Sequence, residues 1–294
     1  MSKGIRYRSD GWFQKFTTVR ARACPLQGLL SGALVLMTIL VAGCGRKTEP
    51  AEASHHTPEL RNEADSLAWR TVQGHGGLDA WSKVRYLRFD YATESEGSRS
   101  TISRHLWDRH SGDYRLEWFP GEDTTVVALF NVNDRTGNVF INGAASDAAA
   151  VPGLLESAYR RFINDTYWLL APLKVFDEGV MRRVVHDSST SEVEVLALSF
   201  DNVGLTPGDR YWLAIDRSDG LLRRWSYILQ GWGDQPASTL NWLDYTSFET
   251  PAGTIRLAER KQRPGSHAAT ITDVVALPTT MPSDVFTDDQ QAMD

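Results

Sequence analysis

The feature that most constrains the fold is an alternation of apolar and polar residues with a period of two. In residues 85–94, Leu87 and Phe89 fall on one face, and Arg88 and Asp90 fall on the other. Such alternation is typical of a half-buried β-strand. Similar segments recur almost to the end of the chain, separated by turns rich in Gly, Asn and Asp, so the sequence predicts an antiparallel meander.

Helical periodicity appears at two places, once before the strands and once between them. The first helix is predicted over 58–72, with Thr57 as a cap and Gly74 close to its end. The second is predicted over 152–170 and has one broad apolar face. About five strands lie between the helices and six or seven follow the second.

A long meander must hide its inner face. We therefore predict a mainly β fold of the α+β type. The expected architecture is a single strongly curved antiparallel sheet, or half-open β-barrel, of about 11 strands with helices covering the concave side.

A secretory signal precedes this domain. An uncharged apolar run ends in Val41-Ala42-Gly43-Cys44, with basic residues upstream. The run is too short to span a bilayer comfortably and has the layout of a signal peptide. Because a cysteine follows Ala-Gly, the site looks like a bacterial lipobox, which implies cleavage before Cys44 and lipidation of its thiol. An ordinary signal peptide with a chance cysteine is the alternative.

These features divide the chain into four parts. They are a lipoprotein signal peptide (1–43), a lipidated cysteine with a flexible tether (44–57), the folded domain (58–278) and an acidic tail expected to fray (279–294). More than one acyl chain on Cys44 would form a stable membrane anchor. In enterobacteria, an Asp directly after the lipidated cysteine retains a lipoprotein in the inner membrane. That position is Gly45 here, so we expect an outer-membrane lipoprotein facing the periplasm.

The charge of the mature chain bears on its partners. Removing the six basic residues and one acidic residue of 1–43 from totals of 31 and 37 leaves a net charge of −11. Nucleic-acid binding requires a basic face, so no nucleic-acid partner is expected. Cys24 leaves with the signal, and the mature protein then has no disulfide, so its stability must come from its core.

Catalytic and metal-binding signatures are scarce. The sequence has no G-x-S-x-G, H-E-x-x-H, P-loop or C-x-x-C motif. His105 and His110 flank Trp107, but no third ligand is indicated, and we interpret both as ordinary exposed hairpin residues. No catalytic residue, metal or cofactor is predicted. A hydrolase with an unrecognised site remains a rival interpretation.

A dense aromatic segment suggests a hydrophobic site. The second helix carries polar Asn164, Asp165 and Thr166 among aromatic residues. One interpretation is a lid that lines a ligand cavity, and the other is a core helix. The two are compatible, because a helix that covers a curved sheet belongs to the core and also forms a wall of the cavity. The residues expected to line the site are Trp81, Phe89, Tyr159, Phe162, Tyr167, Trp168 and Trp225.

Four segments together carry a family resemblance. They are Gly74 to Trp81, Val84 to Asp90, Asn164 to Pro172 and the hairpin from Asp216 to Tyr227. With the lipobox, they resemble the bacterial outer-membrane lipoprotein-sorting-protein-like group, which is related in fold to LolA and LolB. The resemblance implies a half-open barrel with a helical lid. It also implies a cavity that holds acyl chains and performs no chemistry.

The sequence and the resemblance lead to one functional hypothesis and one main alternative. The hypothesis is a monomeric, non-enzymatic lipoprotein, anchored through Cys44, that binds a hydrophobic or amphipathic ligand in the concavity of the sheet. Acyl chains, a lipid or a lipoprotein would be that ligand, and the protein would handle lipids or lipoproteins. The alternative is a scaffold or sensor with a filled core that contacts another envelope protein. A cavity too small for an acyl chain would favour the alternative.

Overall fold

The structure is a computed structural model and describes residues 57–201, 204–282, 284–290 and 293. The predicted signal peptide, Cys44 and all of the tether except Thr57 lie outside the described residues. The described part of the domain forms one compact unit. Within it, no helix combines the length and the apolar character needed to cross a membrane.

One antiparallel sheet dominates the fold. Its strands are β1 (Tyr86–Ser95), β2 (Ser98–Asp108), β3 (Asp113–Gly121), β4 (Thr124–Asn131), β5 (Gly137–Ile141), β6 (Ala144–Ala145), β7 (Val180–Val184), β8 (Val193–Phe200), β9 (Arg210–Asp216), β10 (Leu222–Ile228), β11 (Ser238–Thr250), β12 (Gly253–Gln262) and β13 (Ala269–Ala276). The spatial order is β6-β5-β4-β3-β2-β1-β13-β12-β11-β10-β9-β8-β7, so β6 and β7 are its edges.

The predicted fold class is confirmed. The sheet is single, open and antiparallel, and helices accompany it. It has 13 strands rather than about 11. β6 has only two residues and is too short to display an alternating pattern.

Three α-helices complete the domain: α1 (Glu63–Gly74), α2 (Gly77–Ser82) and α3 (Val151–Leu170). The predicted start of the first helix near Pro58 is wrong. Asn62 has extended backbone angles, and its side chain accepts a hydrogen bond from the backbone N–H of Asp65 at 2.9 Å. This cap satisfies a free N–H of the first turn and starts the helix five residues later.

Glycines let the end of α1 approach the sheet. A Cβ atom on Gly74 would lie 2.6 Å from the carbonyl carbon of Gly220, in the turn between β9 and β10. Gly76 has a φ of +107°, and a Cβ there would collide with the carbonyl oxygen of Thr254 on β12. Two of the segments that carry the family resemblance therefore touch each other at this point.

The helices pack on one face of the sheet, which we call the inner face. The main core joins α1, α2 and the end of α3 to β1 and to strands β7–β12. A second core packs Leu155, Ala158 and Phe162 of α3 against β3–β5. Helix α3 thus contributes to both cores and crosses the inner face between them.

The acidic tail lies on the opposite, outer face. Val285 is only 1% exposed and packs with Leu106 of β2. The buried Arg115 donates hydrogen bonds to the carbonyl oxygens of Asp288 at 2.6 Å and Asp289 at 3.0 Å. The expected fraying is therefore wrong for the described part of the tail, because buried arginine N–H groups need acceptors that the tail supplies.

Candidate ligand site beneath helix α3

An aromatic cluster lies where the C-terminal half of α3 meets β9, β10 and β11. Its members are Tyr167, Trp168, Tyr211, Trp225, Tyr227 and Trp242. Trp225 is central, with its ring centroid 5.0 Å from that of Trp168 and 5.7 Å from that of Trp242. Alternation along β10 turns Trp225 and Tyr227 towards α3, and Tyr211 pairs with Tyr227 across the two strands.

Three polar atoms of this cluster lack partners. The hydroxyl of Tyr167 and the indole Nε1 atoms of Trp225 and Trp242 are buried and form no hydrogen bond within the described structure. Buried tyrosine and tryptophan donors usually find an acceptor, and leaving one unpaired costs about 1–3 kcal/mol. The cluster is therefore apolar in its bulk but carries three donors suited to an acceptor oxygen.

A polar cluster lies immediately before the aromatic cluster on α3. It consists of Ser103 and His105 on β2, Tyr114 on β3, and Asn164 and Asp165 on α3. Asp165 Oδ2 lies 3.0 Å from Ser103 Oγ and 3.1 Å from His105 Nε2. His105 Nδ1 lies 2.8 Å from the Tyr114 hydroxyl, and Asn164 donates to Asp165 Oδ1 at 2.8 Å.

The hydrogen-bond pattern makes the polar cluster an anchor for α3. Burial lowers the pKa of His105, and its contact with Asp165 opposes that shift only in part, so the imidazole is neutral at pH 7. With Nε2 protonated and donating towards Asp165, Nδ1 accepts from Tyr114, whose pKa is raised by burial. The Ser103 hydroxyl is then a donor to Asp165. No unprotonated nitrogen of the His105 ring faces this hydroxyl, so the imidazole cannot act as its base.

This geometry differs from that of a nucleophilic triad. In a triad, the imidazole accepts the serine proton through one nitrogen and contacts the carboxylate through the other. Here Nε2 faces both Ser103 and Asp165, and Ser103 and His105 are fully buried. The interpretation of His105 as an exposed hairpin residue is wrong, because its ring also stacks on Phe89 at 4.3 Å.

The seven residues predicted to line one site separate into several places. Tyr167, Trp168 and Trp225 do meet in the aromatic cluster. Tyr159 and Phe162 lie in the second core, and their ring centroids are 5.9 Å apart. The two remaining residues lie elsewhere, Phe89 against His105 and Trp81 on α2.

The position of Trp81 has its own explanation. The guanidinium of Arg109 lies 3.6 Å from the ring centroid of Trp81, and its Nη1 donates to the carbonyl oxygens of Trp81 and Val84. The predicted set also omitted Tyr211, Tyr227 and Trp242. Alternation along β9, β10 and β11 is the sequence signal that could have identified them.

Aromatic rings whose centroids lie 5.0–6.1 Å apart occupy the space beneath the last turn of α3. Two depressions of the described surface have volumes of about 390 and 380 Å³. The first lies by Arg135, Pro152 and Leu155, and the second lies by Arg104 and Asp289. Neither is lined by a residue of the aromatic cluster. Within the described ranges, no group of three His, Cys, Asp or Glu side chains is arranged to hold a metal ion.

Several solved structures are similar to this fold. An outer membrane lipoprotein-sorting protein domain from Vibrio parahaemolyticus is 11% identical, with 76% of this chain and 95% of that chain covered and a TM-score of 0.40. A DUF1329 family protein from Desulfovibrio piger is 10% identical, with 71% and 88% covered and a TM-score of 0.35. A LolA superfamily protein from Nitrosomonas europaea is 9% identical, with 77% and 98% covered and a TM-score of 0.35.

Two of these three names are those of the group that the sequence resembles, and the agreement concerns the fold alone. No protein-family model and no curated protein matches the chain.

Proposed function

We propose that this protein is a non-enzymatic envelope lipoprotein that binds an amphipathic ligand between α3 and the inner face of the sheet. The observation that supports this proposal is the aromatic cluster with its three unpartnered buried donors. Its rings offer apolar contact to an acyl chain, whose burial contributes about 25 cal/mol per Å². The free hydroxyl of Tyr167 and the two indole N–H groups offer hydrogen bonds to the polar end of the ligand.

Ligand entry would require a movement of the last turn of α3, because aromatic rings occupy the space beneath it. Trp168 is the side chain best placed to yield. It is half-buried, and its ring contacts Trp225 at 5.0 Å and Tyr227 at 5.9 Å. The polar cluster would hold α3 on β2 and β3 at Asp165 while the last turn, Thr166 to Leu170, opens.

The anchor and location belong to the same proposal. Lipidation of Cys44 would hold the protein at a membrane, and Gly45 would permit delivery to the outer membrane. The ligand site would then face the periplasm of a monomer. A mature chain with a net charge of −11 fits a lipid or lipoprotein ligand better than a polyanion.

Uptake of a fluorescent fatty acid by residues 57–294 tests the proposal. We expect binding by the wild type and at least about tenfold weaker binding by Trp168→Ala, which removes an aromatic wall worth about 1–3 kcal/mol. Trp81→Ala is the matched control, because Trp81 is also half-buried but contacts Arg109 rather than the aromatic cluster. Equal binding by the wild type and a folded Trp168→Ala would exclude the site.

The packed interior favours a second candidate function, a scaffold or sensor that contacts another envelope protein. In that case the aromatic cluster is core, and its unpartnered donors have no ligand. Native mass spectrometry of residues 57–294 purified from the periplasm separates the two functions. A co-purifying lipid mass supports the ligand-binding protein, and a clean apo mass together with no fatty-acid uptake supports the scaffold.

A further inference from the structure

A buried lysine lies beside the aromatic cluster. Lys261 on β12 is fully buried and in register with Trp242 on β11. Its Nζ donates to the carbonyl oxygen of Ala258 at 2.6 Å and to Thr272 Oγ1, and it lies 4.6 Å from the centroid of the Trp242 ring. No described carboxylate forms an ion pair with it.

Lys261 lies close to the three unpartnered donors of the aromatic cluster. Trp242 lies between Lys261 and Trp225, and the ring centroids of Trp242 and Trp225 are 5.7 Å apart. The ring centroid of Trp225 is in turn 6.1 Å from that of Tyr167. Its acceptor Thr272 pairs across strands with Tyr91, and the ring of Tyr91 lies 6.5 Å from that of Trp168. The amine of Lys261 and three unpartnered donors thus lie next to the rings that α3 covers.

A buried amine without an anionic partner is costly to keep charged. Burial lowers the pKa of Lys261 well below its usual range, and the charges of Glu259 and Asp273 offset this only in part. Both carboxylates have other partners, since Thr246 donates to Glu259 at 2.9 Å and Arg99 pairs with Asp273. Lys261 therefore has no counter-ion of its own, and an anionic group of a ligand can supply one.

We propose that Lys261 is the headgroup-recognition residue of the site and that the ligand is a single-chain amphiphile with a carboxylate, such as a long-chain fatty acid. This inference rests on the proposed function and adds the chemical class of the ligand. The acyl chain lies among the rings under α3, and the carboxylate accepts from Lys261 and from the unpartnered donors of the aromatic cluster, the indole N–H of Trp242 among them. On binding, the amine takes up a proton from solvent, because an adjacent anion favours its charged form.

The test compares two ligands of equal chain length, palmitic acid and hexadecanol, by the change in tryptophan fluorescence of residues 57–294 at pH 7.5. We expect the wild type to bind the acid about tenfold or more tightly than the alcohol, the range of a charge-assisted hydrogen bond. Lys261→Met should lose this preference and keep its affinity for the alcohol within about twofold. Lys83→Met, at the exposed C-terminal cap of α2, is the matched control and should behave like the wild type.

The outcomes separate the two proposals. If the wild type binds neither ligand, the proposed function fails and the inference fails with it. If the wild type binds both ligands equally, or if Lys261→Met retains the preference for the acid, the inference fails and the proposed function stands.

A wild-type measurement covers the case in which Lys261→Met does not fold. The ratio of acid to alcohol affinity should fall as the pH rises from 7 to 10, because binding of the acid takes up a proton that becomes scarcer. A ratio that stays constant over this range would overturn the role of Lys261.

Discussion

Two neighbouring turns of α3 are built in opposite ways. At Asp165, every polar side chain of the polar cluster has a partner on β2, β3 or α3 itself. Two residues later, at Tyr167, the aromatic cluster begins, and three of its donors have none in the described structure. Both clusters are buried between the same helix and the same sheet, so burial alone does not explain the difference.

The difference assigns separate tasks to the two turns. A satisfied buried network fixes a unique arrangement, because any displacement of α3 breaks several hydrogen bonds at once. An unsatisfied aromatic cluster loses no hydrogen bond when the helix turn above it moves and can gain some from a ligand. The polar cluster therefore determines where α3 sits, and under the proposed function the aromatic cluster would determine what enters beneath its last turn.

The largest effect is expected from breaking the satisfied cluster. Asp165→Ala leaves Ser103, His105 and Asn164 without their shared acceptor in a buried site. We expect the free energy of unfolding, measured in urea, to fall by about 4 kcal/mol. Glu156→Gln on the same helix is the control. It weakens only an exposed pair with Arg160, so a change below about 0.5 kcal/mol is expected. A loss below 1 kcal/mol for Asp165→Ala would show that the network does not anchor α3.

The dependence of stability on pH provides the next test. Besides His105, which contacts a carboxylate, a second imidazole is buried and has no carboxylate in contact with it. His75 is 1% exposed and bonds the carbonyl oxygen of Thr71 at 2.7 Å, whereas His105 contacts Asp165. Burial, the main cause, lowers the pKa of His75 to about 4 from its usual 6.5. The unfolded chain therefore binds the proton first, and the stability contributed by neutral His75 is complete above pH 6.5 and lost as the pH falls towards 4.

The expected loss from His75 between pH 7 and pH 4 is about 3 kcal/mol. Chemical denaturation at a series of pH values measures it. His75→Gln cannot take up this proton, so its stability should change less over the same interval. Parallel pH profiles for His75→Gln and the wild type would contradict the prediction.

The sequence predicts elements better than the partners of their side chains. Alternation and the apolar face of α3 give the sheet and the covering helix correctly, because these periodicities follow from local backbone geometry. The start of α1 was misplaced because Thr57 and Asn62 are both good caps, and only packing chooses between them. The burial of His105 was missed because its partner Asp165 is 60 positions away and lies on another element.

The same limit applies to the candidate site. Aromatic content identifies Tyr167, Trp168 and Trp225, but it also selects Trp81 and Tyr159, whose rings instead contact Arg109 and Arg135. Lys261 gives no sequence signal at all, since a lysine on an alternating strand is ordinarily exposed. Register and sheet order place it beside Trp242, and these depend on pairings that no local pattern encodes.

The smallest effect gives the sharpest comparison, because the same atom is removed from each cluster. Tyr114→Phe deletes a hydroxyl that bonds His105 at 2.8 Å, whereas Tyr167→Phe deletes a hydroxyl with no partner in the described structure. We expect the first change to lower the free energy of unfolding by about 1 kcal/mol. The second should leave it unchanged or raise it slightly, because an unpaired buried donor is removed.

Ligand binding should show the reverse order for these two variants. Tyr167→Phe removes a donor that the proposed ligand would use, so its affinity for a fatty acid should fall several-fold, while Tyr114→Phe should bind like the wild type. Urea denaturation and the fluorescent fatty-acid titration of both variants measure the two effects on the same preparations. Equal destabilisation by the two changes would mean that the Tyr167 hydroxyl has a partner in solution. The distinction between a satisfied and an unsatisfied turn of α3 would then be wrong.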